Sequence, residues 1–186
     1  IIQGIVETLK AAEIKFALCA PTGRASKRLE QSAGEEAKTI HRLLEFNPRE
    51  GGFARGSKQV LSQDVVICDE ASMIDVELMS ALLEALEPGK CLILVGDVDQ
   101  LPPVGPGQPF RDFIYSETIP VGRLEQNFRQ NIESGIVSAS AAVNAGHMPD
   151  GGDDIDKDDY YFINRENNES LTDAIEKFIS RLSALR

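Results

Sequence analysis

Two short hydrophobic runs in the middle of the chain each end abruptly in polar residues. Residues 65–68 lead into Asp69 and Glu70, and residues 91–95 lead into a loop rich in glycine and proline. Both runs are too short for a typical helix and too continuous for a half-exposed strand. The first run therefore predicts a central strand that is buried on both faces, as in a parallel sheet, and the second run predicts another strand.

The segment between these two runs predicts a connecting helix. Residues 74–86 carry hydrophobic side chains at helical spacing, and Pro88 and Gly89 end the pattern. Strand, helix and strand with short links form a βαβ unit, whose crossover is right-handed. The polar residues after both strands then lie at one edge of the sheet, where open α/β sheets bind their ligands, so we expect a single site there.

The rest of the chain alternates between helical and strand patterns. Helices are expected over residues 1–12, 24–31, 39–44, 110–115, 134–145 and 169–185, and further strands over residues 15–20, 121–125 and 160–163. Residues 47–58 are basic and rich in glycine, which predicts an exposed loop or a small hairpin. The alternation predicts an α/β fold with a mainly parallel sheet and helices on both faces.

The charge pattern predicts two parts of unequal size. Residues 1–149 are expected to form one domain, and residues 150–186 to contain an acidic linker and the start of a second domain. The linker is indicated by six aspartates and one lysine between residues 150 and 159. Because the first helix runs straight into a strand, we expect a longer protein with a further strand and loop before Ile1.

The composition of the 186 residues is that of a soluble globular protein, with 42% hydrophobic and 26% charged residues. No stretch approaches the ~18 consecutive apolar residues of a membrane span, so we expect no membrane association. Cys19, Cys68 and Cys91 lie in or beside the strand-like runs without metal-ligand spacing. They predict buried thiols in a reducing compartment, and hence a cytoplasmic protein.

The formal net charge of −11 argues against indiscriminate binding to nucleic acid, but the charge is unevenly distributed. Residues 10–58 contain ten Lys and Arg against six Asp and Glu. Because the local field at the phosphates decides binding, a basic surface on an acidic protein is compatible with DNA binding.

Five sequence motifs occur in order along the chain. They are APTGRASKRL (residues 20–29), TIHRLL (39–44), DEASMID (69–75), GDVDQLPPVGPG (96–107) and LEQNFRQ (124–130). Together they resemble motifs Ia, Ib, II, III and IV of superfamily 1 helicases. The RecD-like branch is the most similar, which includes the alpha subunit of exodeoxyribonuclease V and the TraA relaxase-helicases. The resemblance covers residues 20–149 and implies a RecA-like P-loop NTPase domain.

This resemblance implies ATP hydrolysis with Mg²⁺, coupled to 5′-to-3′ movement on single-stranded DNA in recombination and repair. Asp69 resembles the aspartate that holds Mg²⁺, and Glu70 the base that activates the attacking water. Gln100 resembles the glutamine that senses the γ-phosphate and couples it to the DNA groove. Arg129 resembles the motif IV arginine that contacts the γ-phosphate, where it would neutralise charge on the transferring group.

The DNA contacts implied by the resemblance lie nearer the start of the chain. Thr22, Gly23 and Arg24 resemble the motif Ia contacts to the DNA backbone, where a helix N-terminus offers N–H donors. Thr39 and His41 resemble motif Ib. Phe53 is either a residue that stacks on a base or a side chain that anchors its loop, and the second interpretation is favoured.

One departure from the family pattern concerns the phosphate-binding loop. The 186 residues contain no GxxxxGK[ST], and motifs V and VI of the second motor domain are also missing. We therefore expect the first motor domain of an ATP-dependent helicase, truncated at its N-terminus so that the P-loop is missing, and inactive by itself.

The expected partners are single-stranded DNA and the nuclease and helicase subunits of an exodeoxyribonuclease V-type complex. Two alternatives stay open. The chain is then either part of a conjugative relaxase-helicase or a non-catalytic DNA-binding module with a degenerate NTPase fold.

Overall fold

The computed structural model describes residues 1–49, 51–124, 134–149, 160 and 168–184. The chain divides into two compact units, Ile1–Gly122 and Arg123–Arg186. The domain boundary predicted near residue 150 falls inside the second unit and stays a prediction. In the described ranges, no helix combines the length and the apolar character that crossing a membrane requires.

The first unit is built around a parallel sheet. Within the described residues this sheet has four strands in the spatial order β2-β1-β5-β6, and every neighbouring pair is parallel. Its strands are β1 (Phe16–Ala20), β2 (Ala37–Thr39), β5 (Val65–Cys68) and β6 (Cys91–Leu94). A separate antiparallel hairpin joins β3 (Phe46–Asn47) to β4 (Gly52–Phe53), inside the segment predicted as a loop or hairpin.

Helices cover both faces of the sheet, as predicted for an α/β fold. The first unit contains α1 (Ile2–Ala11), α2 (Gly23–Ala33), α3 (Ile40–Leu43), α4 (Val76–Glu84), α5 (Pro109–Tyr115) and a 3₁₀ turn (Ala71–Met73). On one face, α1 and α2 pack against the sheet, and on the other face α3, α4 and α5 do so. The second unit contains α6 (Gly135–Asn144) and α7 (Asn168–Ala184).

Side-chain caps fix the starting points of three helices. Thr22 Oγ1 accepts from the Ala25 amide at 3.2 Å and begins α2, and Thr39 Oγ1 accepts from the Arg42 amide at 3.2 Å and begins α3. The Asp75 carboxylate accepts from the Leu78 amide at 2.8 Å and begins α4. Each cap satisfies an N–H group that has no partner within its helix, which typically stabilises a protein by about 1 kcal/mol.

Strand β5 is the centre of the core. All four of its residues are buried, with Val66 and Cys68 packed on one face and Val65 and Ile67 on the other. The prediction of a strand buried on both faces is therefore confirmed for residues 65–68.

Strand β6 differs from β5 because it is the outermost strand in the described part of the sheet. The strand itself is confirmed, but its last three residues are half-buried and Cys91 is exposed, so the prediction of a buried Cys91 thiol is wrong. Cys19 and Cys68 are buried as predicted. The neighbouring Cys19 thiol, together with burial, raises the pKa of Cys68 well above its usual value, which keeps this thiol protonated.

Two other segments depart from the sequence prediction. Residues 121–124 form no strand, and Val121 and Leu124 are exposed, since no neighbouring strand pairs with them in the described part. Strand β2 was missed because Glu36 and Lys38 flank a single apolar residue, and pairing with β1 overrides that polar local pattern. The strand predicted over residues 160–163 lies almost wholly outside the described residues, and Tyr160 is not in a strand.

Candidate nucleotide and DNA site

The predicted site residues follow strands that end at one edge of the sheet. The register pairs Ala20 with Thr39, Cys19 with Cys68, and Cys68 with Leu94, so the four carboxyl ends lie side by side. Neighbouring strands are about 4.8 Å apart. The expectation that the polar residues after β5 and β6 share one edge is confirmed, and the segments after β1 and β2 reach the same edge.

The turn that carries the two central carboxylates is held by both neighbouring strands. The Asp69 amide donates to the Cys19 carbonyl at 2.9 Å, which ties the turn to β1. On the other side, the Ala71 amide donates to the Val95 carbonyl at 2.8 Å, just beyond β6. Asp69 and Glu70 are half-buried, so their positions are fixed while their side chains stay accessible from solvent.

Glu70 has a backbone conformation that residues with a side chain rarely adopt. Its φ is +52° and its ψ is +38°, in the left-handed region. This region costs a residue with a Cβ roughly 1 to 2 kcal/mol, and glycine avoids the cost. A glutamate in such a strained turn is a candidate for a functional side chain, a feature that the sequence pattern alone did not reveal.

The loop after β6 begins with a tight polar turn. The Asp97 carboxylate accepts from the Asp99 amide at 3.0 Å, and the Gln100 amide donates to the Asp97 carbonyl at 3.3 Å. The Gln100 side chain is exposed at the end of this turn. The structure thus brings Gln100 to the edge that carries Asp69 and Glu70, one strand further along.

The segments after β1 and β2 lead directly into helix N-termini, whereas those after β5 and β6 present carboxylates. Because the hydroxyls of Thr22 and Thr39 cap their helices, the groups left for a ligand are backbone N–H donors and the exposed Arg24. Gly23 begins α2 with open space around it, since nothing lies within 4 Å of the position where a Cβ would be. This half of the edge is chemically suited to bind an anion such as a phosphate.

His41 belongs to an aromatic cluster that joins α3 to the hairpin. Its ring centroid lies 5.4 Å from that of Phe46 and 5.6 Å from that of Phe53, and the two phenylalanine rings are 5.1 Å apart. Phe53 is half-buried and packs against the core. This packing favours the anchoring interpretation of Phe53, and it gives His41 a structural role beside the predicted DNA contact.

Comparison with known proteins assigns the chain to a family. Residues 1–106 match the family model described as an AAA domain. The chain is 36% identical over 151 residues to the ATP-dependent RecD2 DNA helicase of Deinococcus radiodurans, which covers 81% of this chain and 21% of that protein. The chain belongs to the AAA domain family, and its sequence is similar to that of RecD-type helicases.

Other relatives of this RecD-like chain agree with that assignment. It is 33% identical over 150 residues to the RecBCD enzyme subunit RecD of Mycobacterium tuberculosis, covering 71% of this chain and 26% of that protein. It is also 38% identical over 120 residues to the ATP-dependent DNA helicase dda of Enterobacteria phage T4, covering 57% of this chain and 27% of that protein. The RecD-like chain thus spans about a quarter of the length of these curated relatives.

A solved structure shares the fold of the RecD-like chain. The crystal structure of Bacteroides Pif1 bound to ssDNA superimposes with a TM-score of 0.51 at 19% sequence identity, covering 79% of this chain and 40% of that one. At this identity the likeness shows the fold alone, which is RecA-like α/β as predicted.

The carboxylates that follow β5 and β6 are suited to a magnesium ion that binds together with a nucleotide. The described part of the RecD-like chain contains no cluster of three or more His, Cys, Asp or Glu side chains that would hold a metal alone. Mg²⁺ is usually bound by one or two carboxylates together with substrate phosphates, a role that the accessible Asp69 carboxylate fits. The predicted γ-phosphate contact Arg129 lies outside the described residues.

Proposed function

We propose that this chain is part of an ATP-dependent 5′-to-3′ DNA helicase that couples ATP hydrolysis to movement along single-stranded DNA. The observation that carries the proposal is the division of one sheet edge into two halves. Two strands end in carboxylates suited to metal and water chemistry, and two end in helix N-termini suited to phosphates.

In the acidic half, Glu70 is proposed to orient the attacking water and to accept its proton. Asp69 would hold Mg²⁺ in position against the phosphates of ATP. When bound, this ion would neutralise negative charge on the transferring phosphoryl group. Gln100 is proposed to contact the γ-phosphate from the loop after β6, and Arg129 is proposed to contact and stabilise the same group.

In the other half, the DNA backbone is proposed to lie across the starts of α2 and α3. The N–H groups at Gly23 and the guanidinium of Arg24 would bind phosphates, with Thr39 and His41 beside them. Contacts of this kind read no bases, so the affinity is expected to depend on salt and to tolerate any sequence.

The topology of the sheet supports a position for the phosphate-binding loop of a longer parent protein. α2 leads from β1 to β2 on one face, and α4 leads from β5 to β6 in the opposite direction on the other face. These two crossovers have the same hand, which the general rule makes right-handed. α1 lies on the same face of the sheet as α2 and leads into β1. A strand that precedes α1 in a right-handed crossover would therefore lie on the opposite side of β1 from β2, in the next free position, which is beside β6.

A loop between such a strand and α1 would lie over the carboxyl ends of β5 and β6. It would then face Asp69 and Asp97, with the N-terminus of α1 directed at the bound phosphates. The proposed cofactors are therefore ATP and Mg²⁺, and the proposed setting is a cytoplasmic complex of the exodeoxyribonuclease V type with nuclease and helicase subunits.

The experiment that tests this proposal measures ATP hydrolysis by the longer parent protein, with and without single-stranded DNA, and unwinding of a duplex with a 5′ tail. We expect DNA-stimulated turnover and unwinding, and no turnover by the 186-residue chain alone, which lacks GxxxxGK[ST].

Two results would contradict the proposal. A parent that binds single-stranded DNA without hydrolysing ATP would indicate a non-catalytic module. Robust turnover by the 186-residue chain alone would show that phosphate binding does not need an upstream loop. A relaxase activity in the parent would instead assign the chain to a conjugative relaxase-helicase.

A further inference from the structure

Two of the three cysteines lie side by side on neighbouring strands of the sheet. The register pairs Cys19 of β1 with Cys68 of β5, and both residues are fully buried in the same hydrophobic cluster, beneath α3, α4 and α5. Because side chains alternate between the two faces of a strand, paired residues on one face point in the same direction. The two thiols are therefore neighbours in the core.

The spacing of β1 and β5 suits a disulfide bond between these two cysteines. Neighbouring strands are about 4.8 Å apart, and disulfides usually join residues whose Cα atoms are ~4.4 to ~6.8 Å apart. Cys91 offers no alternative, because it pairs with Val65, which lies ~10 Å along the strand from Cys68. Cysteines whose Cα atoms are more than ~7 Å apart cannot be bridged without movement of the backbone.

The pair lies directly beneath the proposed nucleotide site. Cys68 precedes Asp69 and Glu70, and its thiol donates to the Asp69 carbonyl at 3.6 Å. The Asp69 amide donates to the Cys19 carbonyl at 2.9 Å, which joins the two strands through the backbone. Cys19 in turn lies close before Thr22, which caps α2. A change in the distance between the two sulfur atoms would therefore shift the residues of both halves of the sheet edge.

We propose that Cys19 and Cys68 form a reversible disulfide bond when the protein is exposed to a small oxidant such as hydrogen peroxide, and that this bond inactivates the proposed nucleotide site. The second part of the inference rests on the proposed ATPase, whereas formation of the bond does not.

The reaction balances with peroxide as the oxidant. The thiolate of one cysteine attacks the peroxide, breaks its O–O bond, and becomes a sulfenic acid while one water leaves after protonation. The other thiol then attacks the sulfenic sulfur, forms the S–S bond, and releases a second water. Two thiols thus lose two electrons in total, and one peroxide is reduced to two waters.

The surroundings of the pair make the bond slow to form and easy to reverse. The neighbouring Cys19 thiol, burial and the charge of Asp69 raise the pKa of Cys68, so little reactive thiolate is present at neutral pH. The sulfur atoms of a disulfide are ~2.05 Å apart, closer than two unbonded thiols, so the strand ends must approach each other. A disulfide formed under such strain is reduced more easily than a relaxed one, which is typical of a regulatory bond.

The test exposes the reduced parent protein to hydrogen peroxide and measures bond formation and ATP turnover in the same samples. Trypsin cleaves after lysine and arginine, which places the three cysteines in separate peptides, residues 16–24, 59–90 and 91–111. Mass spectrometry should find peptide 16–24 joined to peptide 59–90. A misplacement of about 1 Å can cost ~10²-fold in rate, so DNA-stimulated turnover should fall by that order. A dithiol reductant should separate the peptides and restore turnover.

Three variants of the parent protein identify the cysteines responsible. Cys19→Ala and Cys68→Val each remove one partner, so each should keep its turnover after peroxide treatment. The first leaves a small cavity and the second fills the space with a side chain favoured in strands, so the two differ in any folding defect. Cys91→Ala is the matched control, because it removes the exposed thiol and leaves the pair intact, and its turnover should fall like that of the wild type.

The possible results distinguish the inference from the proposed function. The absence of the joined peptides in the oxidised wild type would overturn the inference, and so would joined peptides with unchanged turnover. A loss of turnover that persists in Cys19→Ala and Cys68→Val, or that a dithiol does not reverse, would also overturn it. A reduced wild-type parent without DNA-stimulated turnover would instead contradict the proposed function, while the peptides would still show whether the bond forms.

Discussion

The two halves of the sheet edge use the same strand geometry for opposite chemistry. After β1 and β2 the chain enters capped helices, and it presents N–H groups and the cation Arg24. After β5 and β6 it presents the carboxylates of Asp69, Glu70 and Asp97. Parallel strands bring these segments to one edge, but the residues that follow each strand decide which ligand that position suits.

The halves also differ in backbone strain. Thr22 and Thr39 lie in the extended region and cap their helices directly, which is a relaxed way to leave a strand. Glu70 lies in the left-handed region, and a 3₁₀ turn separates it from α4. One half is therefore built for stability, while the other keeps a strained residue at the position proposed for catalysis.

The largest expected effect is on ATP turnover, and it comes from removing the negative charge of Glu70. Glu70→Gln in the parent protein should lower ATP turnover by about 10²- to 10⁴-fold, because the amide keeps the shape of the side chain but accepts a proton poorly. Steady-state ATPase assays with single-stranded DNA measure this. Near-normal turnover in the variant would mean that Glu70 is not the base, and that the acidic half has another role.

A smaller effect, on the affinity for DNA, is expected from removing the positive charge of Arg24. Arg24→Ala in the parent should weaken binding to two unrelated oligonucleotides equally, and it should make the salt dependence of affinity shallower by roughly one unit. A salt titration of both proteins measures the slope. Lys27→Ala is the matched control, since Lys27 is another exposed cation on α2, one turn further from its start. A loss confined to one oligonucleotide would contradict a backbone contact.

Removing the strain at Glu70 should stabilise the fold while it abolishes catalysis. Glu70→Gly is expected to raise the free energy of unfolding by about 1 kcal/mol, because glycine adopts a positive φ without steric cost. Glu13→Gly is the control, since Glu13 also has a positive φ of 54° but lies after α1, away from the site. Chemical denaturation should show a similar gain for both variants, with turnover lost in the first alone. A destabilised Glu70→Gly would show that the carboxylate holds the turn together.

The smallest effect concerns an ion pair at the other end of the strands, just before β5 and β6 begin. Lys90 Nζ lies 2.6 Å from the Asp64 carboxylate, and this hydrogen bond lowers the pKa of Asp64 from 3.8 and raises that of Lys90 from 10.5. The contribution of Asp64 to stability is present above pH 3.8 and is lost as the pH falls through its lowered pKa. That of Lys90 is present below pH 10.5 and is lost as the pH rises.

Asp64→Asn should therefore reduce stability slightly at neutral pH and flatten the acid side of the stability profile. Thermal unfolding at a series of pH values measures this. Because both side chains are partly exposed, the difference is expected to be small and to decrease with added salt. An unchanged acid limb in the variant would mean that Asp64 has no stabilising partner in solution.

The central part of the fold could be predicted from the sequence because its pattern is unambiguous. The run at residues 65–68 has no polar interruption, so its burial and its place in the sheet follow directly. The short β2 and the exposure of β6 could not be predicted in this way, because both depend on which strand lies beside them. Pairing between distant segments overrides local preference in such short elements.

The candidate site was predictable in its residue types but not in its geometry. The motifs indicate Asp69, Glu70 and Gln100, and the structure adds the left-handed backbone at Glu70 and the pairing of Cys19 with Cys68 beneath it. A positive φ at a glutamate has no signal in the local sequence, since glycine or asparagine would be the usual residue there.

The central claim is that the two halves of the edge bind different ligands. It is tested most directly by measuring single-stranded DNA affinity and ATP turnover side by side in the parent protein, its Glu70→Gln variant and its Arg24→Ala variant. Glu70→Gln should lose turnover and keep its affinity for DNA, whereas Arg24→Ala should lose affinity for DNA and keep its basal turnover without DNA. If either variant lost both properties, or if the losses were reversed, the division of the edge into two sites would be contradicted.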